Sequence, residues 1–171
     1  MSTDLELRID ALERRVRDLE QNRPPDEPAA ASGGTFWALD GLKARVPQGG
    51  VVYAGYVTLP TGEVYEWQGG LPADQLLDND WDELTSELSG TLAALSHPVR
   101  LLILGLVLGG ARSVNELQQN ASLGTSGQLY HHLRQLVASG WLRSASRGRY
   151  AVPADRIIPL LAILAAARRQ P

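Results

Sequence analysis

The 171-residue sequence contains no cysteine, which excludes disulfides, thiolate metal sites and cysteine nucleophiles. Its longest apolar-rich stretch, residues 101–108, is too short to cross a bilayer, and no signal peptide opens the sequence, so we expect a cytoplasmic protein that does not span a membrane. The net charge is −3, but the two signs are unevenly distributed along the chain. Residues 97–171 carry nine arginines and two acidic residues, whereas residues 1–96 carry seven basic and seventeen acidic residues. This distribution favours a polyanionic partner for the C-terminal part.

Residues 1–22 are predicted to form a short, parallel, two-stranded coiled coil. Its heptad seam alternates spacings of four and three residues, with β-branched residues at a and leucine at d, and consists of Leu5, Ile9, Leu12, Val16 and Leu19. Arg8 and Arg15 at g positions can reach the partner's Glu13 and Glu20 at e positions. An amphipathic helix lying on its own domain is the alternative. Residues 23–34, which are rich in Pro, Ala, Ser and Gly, are predicted to be a linker.

Residues 35–80 are predicted to be an aromatic-rich region with a β-hairpin. A short helix runs through Arg45, and strands at 51–59 and 63–68 flank a turn at 60–62. A two-stranded hairpin needs a surface to pack on. The aromatic side chains could provide packing on the neighbouring domain, contacts to a partner subunit, or a site for a small-molecule effector. For a ligand site, the candidate residues are Trp37, Tyr53, Tyr56, Tyr65 and Trp67.

From Asp80 the pattern becomes helical, and a compact domain is predicted over residues 81–171. One face of its first helix consists of Trp81, Leu84, Leu88, Leu92 and Leu95. His97 occupies the N-cap position of a second helix and Pro98 its first position, where the missing N–H costs nothing. This second helix is apolar almost all round, as expected at the centre of a small domain, and residues 109–110 end it.

Two short capped helices follow, joined by a tight turn at residues 122–124. Ser113 with Glu116, and Thr125 with Gln128, have the spacing of capping boxes. Two such helices joined by a turn with glycine are the signature of a helix-turn-helix. The first is predicted to end near Asn120, and the second to bury Leu129, Leu133, Leu136 and Val137.

The outward face of this second helix is predicted to contact DNA. It consists of Ser126, Gly127, Tyr130, His131 and Arg134. Gly127 lets the backbone approach closely, Tyr130 and His131 can hydrogen-bond base edges and phosphates, and Arg134 can pair with guanine or phosphate. A polar solvated face is the alternative. His132 is expected to lie toward the domain body.

A basic β-hairpin is predicted next, with strands at 141–144 and 149–152 joined by residues 144–148. Arg143, Arg147 and Arg149 crowd this loop and are predicted to contact the DNA backbone or minor groove. The remaining helix, 154–169, is predicted to expose an apolar stripe of Ile157, Leu160, Leu161 and Leu164.

Two motifs in this order resemble those of arsenic-repressor (ArsR-type) transcriptional regulators. Residues 94–104 (ALSHPVRLLIL) resemble the family's second-helix motif, and residues 129–142 (LYHHLRQLVASGWL) resemble its recognition helix running into the wing. The resemblance covers about residues 81–170. It implies a winged-helix homodimer that usually represses transcription until a signal releases it, with dimer contacts through the first and last helices.

The sequence departs from the family at the metal-sensing positions. Many relatives bind metals through Cys pairs, or through Asp and His on the last helix, whereas this chain has no Cys and its last helix carries Asp155 without a His. We therefore expect neither a metal nor another cofactor. The first 80 residues have no counterpart in the minimal family fold.

The fold expected from these patterns is mainly α with small β: a winged helix-turn-helix domain preceded by a short coiled-coil helix and a hairpin-containing segment. The expected function is regulation of transcription by a homodimer bound to double-stranded DNA. The alternatives are a small-molecule sensor with its ligand site in residues 35–80, and a protein-interaction adaptor that does not bind DNA. No nucleophile–base motif, phosphate loop or metal cluster indicates an enzyme.

Overall fold

The computed structural model describes Ile9, Leu12, Arg14 and Arg15, and residues 36–77, 80–145 and 148–168, with Glu87 described by its backbone alone. The chain divides into two compact units, Met1–Arg45 and Val46–Pro171. In the first unit, Ile9 and Leu12 are helical and exposed. The rest of the predicted coiled-coil seam and the predicted linker at 23–34 lie outside the described residues, so both stay predictions. Helix α1, Trp37–Arg45, confirms the predicted short helix and buries none of its residues.

The second unit opens with the predicted β-hairpin. Strand β1, Gly50–Thr58, pairs antiparallel with β2, Val64–Pro72, in a register that places Gly50 opposite Pro72 and Thr58 opposite Val64. Gly62 has a φ of +90° in the turn, and its N–H donates to the Leu59 carbonyl at 2.8 Å. The second strand is longer than predicted, and a five-residue helix, α2, Ala73–Leu77, follows it directly.

Two helices then lead into the core. Helix α3, Trp81–Ala93, begins at Asp80, whose side chain accepts from the backbone N–H of Asp82 at 2.9 Å. Helix α4, Pro98–Leu108, begins at His97, whose Nδ1 accepts from the Val99 N–H at 3.2 Å. Both caps satisfy backbone donors that a helix start leaves without an intrahelical partner. The two helix starts are therefore as the sequence predicts.

Three helices and a second hairpin complete the unit, together with a short 3-10 turn before the second of these helices. They are the helix α5, Val114–Leu117; the helix α6, Ser126–Ala138; the strands β3, Arg143–Ala145, and β4, Arg149–Ala151, which form a second antiparallel hairpin; and the helix α7, Ala154–Ala167. The described chain is thus a mixture of helices and two small antiparallel hairpins, consistent with the predicted mainly-α class.

The core lies among α4, α6 and α7, with Trp141 at its edge. Ile103 and Val107 of α4, Leu133 of α6 and Leu160 of α7 are fully buried. Trp141 is 1% exposed, and its indole Nε1–H donates to the Thr91 carbonyl at 2.9 Å, which connects α3 to the core. A buried indole needs such a partner, because an unmade hydrogen bond there is costly.

The apolar stripe of α7 differs from its prediction. Ile157 and Leu160 are 2% and 0% exposed within the single chain, and Leu161 and Leu164 are half-buried. The prediction of an exposed stripe was wrong because the first hairpin packs against α7 while the other side of the helix enters the core. The hairpin's own apolar residues, among them Leu59, Val57 and Tyr65, belong to the same core cluster.

Within the described residues no single helix is long and apolar enough to cross a membrane. The pair α3 and α4 meets that test together, by length and composition alone, with a bend of 69° between them.

Candidate nucleic-acid interface

Helix α5 begins at a complete capping box. The Ser113 hydroxyl accepts from the Glu116 N–H at 3.3 Å, and Glu116 Oε2 accepts from the N–H groups of Ser113 at 2.8 Å and Arg112 at 2.6 Å. These donors favour the charged carboxylate, so they lower the pKa of Glu116, the Arg112 N–H most strongly and the Ser113 N–H next. Helix α5 is one turn shorter than predicted, since it ends at Leu117 rather than near Asn120.

Helix α6 begins at a second capping box after a tight turn. A 3-10 turn, Ala121–Leu123, is capped by the Asn120 side chain, and Gly124 follows it with a φ of +72°. The Thr125 N–H donates to Gln128 Oε1 at 2.9 Å, and the Gln128 N–H donates to Thr125 Oγ1 at 3.4 Å. Local hydrogen bonds therefore fix both the direction and the first turn of α6, as the sequence predicts.

The predicted outward face of α6 is exposed. Leu129, Leu133 and Leu136 are buried on the opposite side of the helix. Tyr130 is 45% exposed, His131 and Arg134 are also exposed, and a Cβ placed on Gly127 would meet no heavy atom within 4 Å. The helix thus presents a tyrosine, a histidine and an arginine side by side to solvent, with room for a close approach at its first turn.

Ser126, the fifth predicted member of this face, is exposed but has a partner. Its hydroxyl accepts a hydrogen bond from Nε2 of Gln118, the C-cap residue directly after α5. This contact ties the two helices together across the turn. Sequence reasoning missed Gln118, because a glutamine at a helix end carries no pattern that indicates which neighbour it contacts.

The second hairpin places two of its arginines on one face. Arg143 pairs with Ala151 and Arg149 with Ala145, so Arg143 and Arg149 are diagonal neighbours, and both are exposed. Tyr150 lies on the other face and packs against the core. Arg147, the third predicted arginine, lies outside the described residues. The two strands form as predicted, although β3 begins at Arg143, after the buried residues Trp141 and Leu142.

Arg112 connects this hairpin to α5 and to the first hairpin. Its carbonyl accepts from the Tyr150 N–H at 2.7 Å, and its Nη2 lies 3.4 Å from Oε1 of Glu63. The next residue, Ser113, forms a β-bridge with Arg149. The base of the second hairpin is therefore held against the start of α5. Sequence reasoning did not single out Arg112, since this role depends on backbone contacts between distant segments.

The charge of this region is of one sign. No Asp or Glu occurs between Glu116 and Asp155, a stretch that contains α6 and the second hairpin and carries four arginines. The side chains of α6 and the second hairpin therefore favour an anionic partner, although the charge of Arg149 also acts on the nearby Glu116 carboxylate.

All three histidines of the chain meet where α4 begins beside α6. The ring centroids of His97 and His132 are 4.6 Å apart, and those of His131 and His132 are 5.7 Å apart. His132 faces inward as predicted, and its buried Nδ1 has no hydrogen-bond partner. Burial lowers the pKa of His132, and the neighbouring His97, His131 and Arg100 lower it further.

The structure does not bring the four predicted aromatic ligand residues of the first hairpin together on one face. Tyr53, Tyr65 and Trp67 share the face of the first hairpin that packs toward α7, whereas Tyr56 lies on the opposite face and is 73% exposed. Trp37 belongs to the first unit and is 67% exposed. Tyr53 lies across the strand from Gly69 and covers it, since a Cβ there would lie 2.5 Å from the Tyr53 hydroxyl. Packing accounts for the positions of Tyr53 and Tyr65.

Within the residues that the structure describes, no group of three or more histidine, aspartate or glutamate side chains is placed to hold a metal ion. Comparison with known proteins gives no match: no protein-family model, no curated protein and no solved structure matches this chain.

Proposed function

We propose that this chain is a sequence-specific, double-stranded-DNA-binding transcriptional regulator that acts as a homodimer through a winged helix-turn-helix domain. The observation that carries the proposal is the exposed surface formed by Tyr130, His131 and Arg134 on α6 together with Arg143 and Arg149 on the second hairpin, two elements whose sequence contains no acidic residue. Such a surface matches the phosphate backbone in charge and the base edges in hydrogen-bonding capacity.

The order of the elements supports the proposal. Helices α5 and α6 are both capped, are joined by a short turn, and are followed by a small hairpin, which is the order expected of a helix-turn-helix with a wing. In such domains the second helix lies in the major groove and its first residues read base edges. The open space at Gly127 permits that approach.

The two parts of the surface have different roles in this proposal. Arg134 and His131 are assigned to base readout, because they lie on α6, whose first turn is fixed by a capping box and whose inward leucines are buried in the core. Arg143 and Arg149, with Arg147 between them in sequence, are assigned to phosphate contacts, which supply affinity without sequence information.

The exposed apolar face of α3 supports the proposed dimerisation. Trp81, Leu88 and Leu92 are 56%, 41% and 50% exposed in the single chain. Burying this face in a second copy would remove a row of large apolar side chains from water. Helix α7 contributes less than its sequence indicated, because Ile157 and Leu160 are already buried.

The test is binding of the full chain to fluorescently labelled random duplex DNA, measured by anisotropy over a series of salt concentrations. If each protomer neutralises about three phosphates, the dimer's affinity should fall with a log–log slope of roughly −5. Arg149→Ala should weaken binding, whereas Lys43→Ala, a matched loss of one exposed cation on α1, should not. No binding at low salt, or equal losses in both variants, would contradict the proposal and favour a protein-interaction adaptor.

A further inference from the structure

An open groove of about 410 Å³ lies between α3 and the C-terminal end of α6. Small side chains form much of its walls, with Ser86, Gly90 and Ala93 on α3 and Ala138 on α6, and Arg100 and Gln135 contribute polar groups. The volume falls within the range of small-molecule sites in proteins. None of the lining residues whose side chains the structure describes is acidic.

Among the described lining side chains, the guanidinium of Arg100 is the one charged group, and its hydrogen bonds do not use all of its N–H donors. Nε donates to the Ala94 carbonyl at 2.6 Å, Nη2 donates to the Ala93 carbonyl at 2.7 Å, and Nη1 donates to Oε1 of Gln135. All three acceptors are neutral. A guanidinium has five N–H donors, so two remain.

The charge of Arg100 also has no carboxylate partner in the described part of the chain. The side chain is half-buried, where charge is less well solvated than at an open surface. A planar carboxylate matches two N–H groups of a guanidinium in geometry and in charge. The small apolar side chains beside it would accept the hydrocarbon part of the same molecule.

We infer that this groove binds a small organic carboxylate, with the carboxylate on Arg100 and the apolar part against Gly90, Ala93 and Ala138. The same guanidinium holds the end of α3 through two carbonyls and holds α6 through Gln135. A carboxylate bound to Nη1 places its negative oxygens beside Oε1 of Gln135, and the repulsion between these oxygens loosens the attachment of α6 to α3. On the proposed function, this makes the groove an effector site whose occupancy lowers DNA affinity.

The binding test uses the full chain without DNA. Benzoate and hexanoate are titrated by calorimetry, with benzamide and hexanamide as uncharged matches of the same shape. We expect at least one carboxylate to bind, and its amide to bind at least tenfold more weakly, because the amide lacks the charge that pairs with Arg100. The inference is overturned if neither carboxylate binds at millimolar concentration, or if carboxylate and amide bind equally well.

A groove-filling variant tests the location. Arg100→Gln is unsuitable because it would also release the two helix-end carbonyls that Arg100 binds and so destabilise the fold. Gly90→Leu is preferred, because a Cβ at Gly90 meets no heavy atom within 4 Å. Gly105→Leu on α4 is the matched control, because it is an exposed helical glycine with the same open space and lies off the groove. Gly90→Leu should weaken carboxylate binding at least tenfold and Gly105→Leu should leave it unchanged. Equal affinities in the two variants would overturn the location.

The regulatory part is tested separately by DNA anisotropy with and without the carboxylate that binds. A saturating carboxylate should lower the DNA affinity of the wild type and of Gly105→Leu, but not that of Gly90→Leu. An unchanged DNA affinity in the wild type would overturn the regulatory part. If the chain binds the carboxylate but no DNA at all, the proposed function fails while the carboxylate site stands.

Discussion

Gly55 in β1 lies directly against Ile158 in α7. A Cβ placed on Gly55 would lie 2.7 Å from Cγ2 and 2.9 Å from Cδ1 of Ile158, closer than packed carbon atoms approach. The absence of a side chain at position 55 therefore allows the first hairpin to pack against the last helix, and Ile158 is 3% exposed as a result.

Gly55→Ala should destabilise the protein by about 1–3 kcal/mol, the usual cost of overpacking. Urea unfolding followed by circular dichroism measures this. In an Ile158→Ala background the same substitution should cost less, because the two contacting methyl groups are gone. Gly105→Ala, at an exposed helical position with open space, is the control and should raise stability by up to about 1 kcal/mol. A cost at Gly55 that is independent of residue 158 would contradict the packing explanation.

His132 should make stability depend on pH below neutrality. Burial lowers its folded-state pKa, and the unfolded chain therefore binds more protons than the folded chain at mildly acidic pH. The stability contributed by the neutral ring is present above the unfolded pKa of about 6.5 and is lost as the pH falls from there toward the lower folded value. Urea unfolding at pH 7.5 and pH 5.5 measures the difference.

His132→Leu should flatten this dependence between pH 7.5 and 5.5. Glu63 and Glu116 also have lowered pKa values, through hydrogen bonds from Thr61 and from the Arg112 N–H respectively, but a lowered carboxyl pKa affects stability mainly at still lower pH. An unchanged pH dependence in His132→Leu would assign the effect to other groups.

Substitution of Arg134 on α6 and of Arg149 on the second hairpin should affect the DNA sequence preference differently. On a duplex selected from a random library, Arg134→Ala should cost about 1–3 kcal/mol and relax the preference at one base pair of each half-site. Arg149→Ala should weaken all sequences about equally and reduce the salt slope by about 1 for each phosphate that the variant no longer neutralises. The selected site should be an imperfect palindrome, as a two-fold dimer requires. Loss of preference in Arg149→Ala with affinity retained would reverse the two assignments.

Deletion of residues 1–22 should weaken the dimer without abolishing it. In the proposed dimer, the predicted coiled coil would supply one contact between copies, and the exposed α3 residues Trp81, Leu88 and Leu92 would supply another. Light scattering over a range of protein concentrations measures the dissociation constant of each form. Leu88→Glu in the full chain is the complementary variant and should also weaken the dimer. A wild type with the mass of a single chain at micromolar concentration would contradict the dimer itself.

The features that the sequence predicted correctly are those fixed by neighbours along the chain. Asp80, His97, Ser113 and Thr125 each bond a backbone N–H two or three residues ahead, so their roles are readable from spacing alone. The inward leucines of α6 follow from helical period in the same way. The same helical period identified the candidate DNA-contacting face of α6, because the residues that do not belong to its apolar side lie on the opposite, outward side.

The features that the sequence did not predict depend on contacts between distant segments. The periodicity of α7 shows an apolar stripe but does not indicate whether a second copy or the chain's own core covers Ile157 and Leu160. The separation of Tyr56 from Tyr53 is different, because residues three apart in one strand lie on opposite faces, and the spacing alone could have predicted it. The contacts of Arg100 with the carbonyls of Ala93 and Ala94, and those of Arg112 with Glu63 and Tyr150, leave no trace in residue type.

The burial of Trp141 gives the protein an internal optical reporter. The other three tryptophans, Trp37, Trp67 and Trp81, are between 49% and 67% exposed, whereas Trp141 is 1% exposed, with the Arg156 guanidinium 5.3 Å from its ring centroid. In the native monomer, iodide should therefore quench the emission of three indoles and spare the fourth. The spared, blue-shifted component reports on the core alone, so its loss during unfolding marks the moment at which α3 and α7 separate from Trp141.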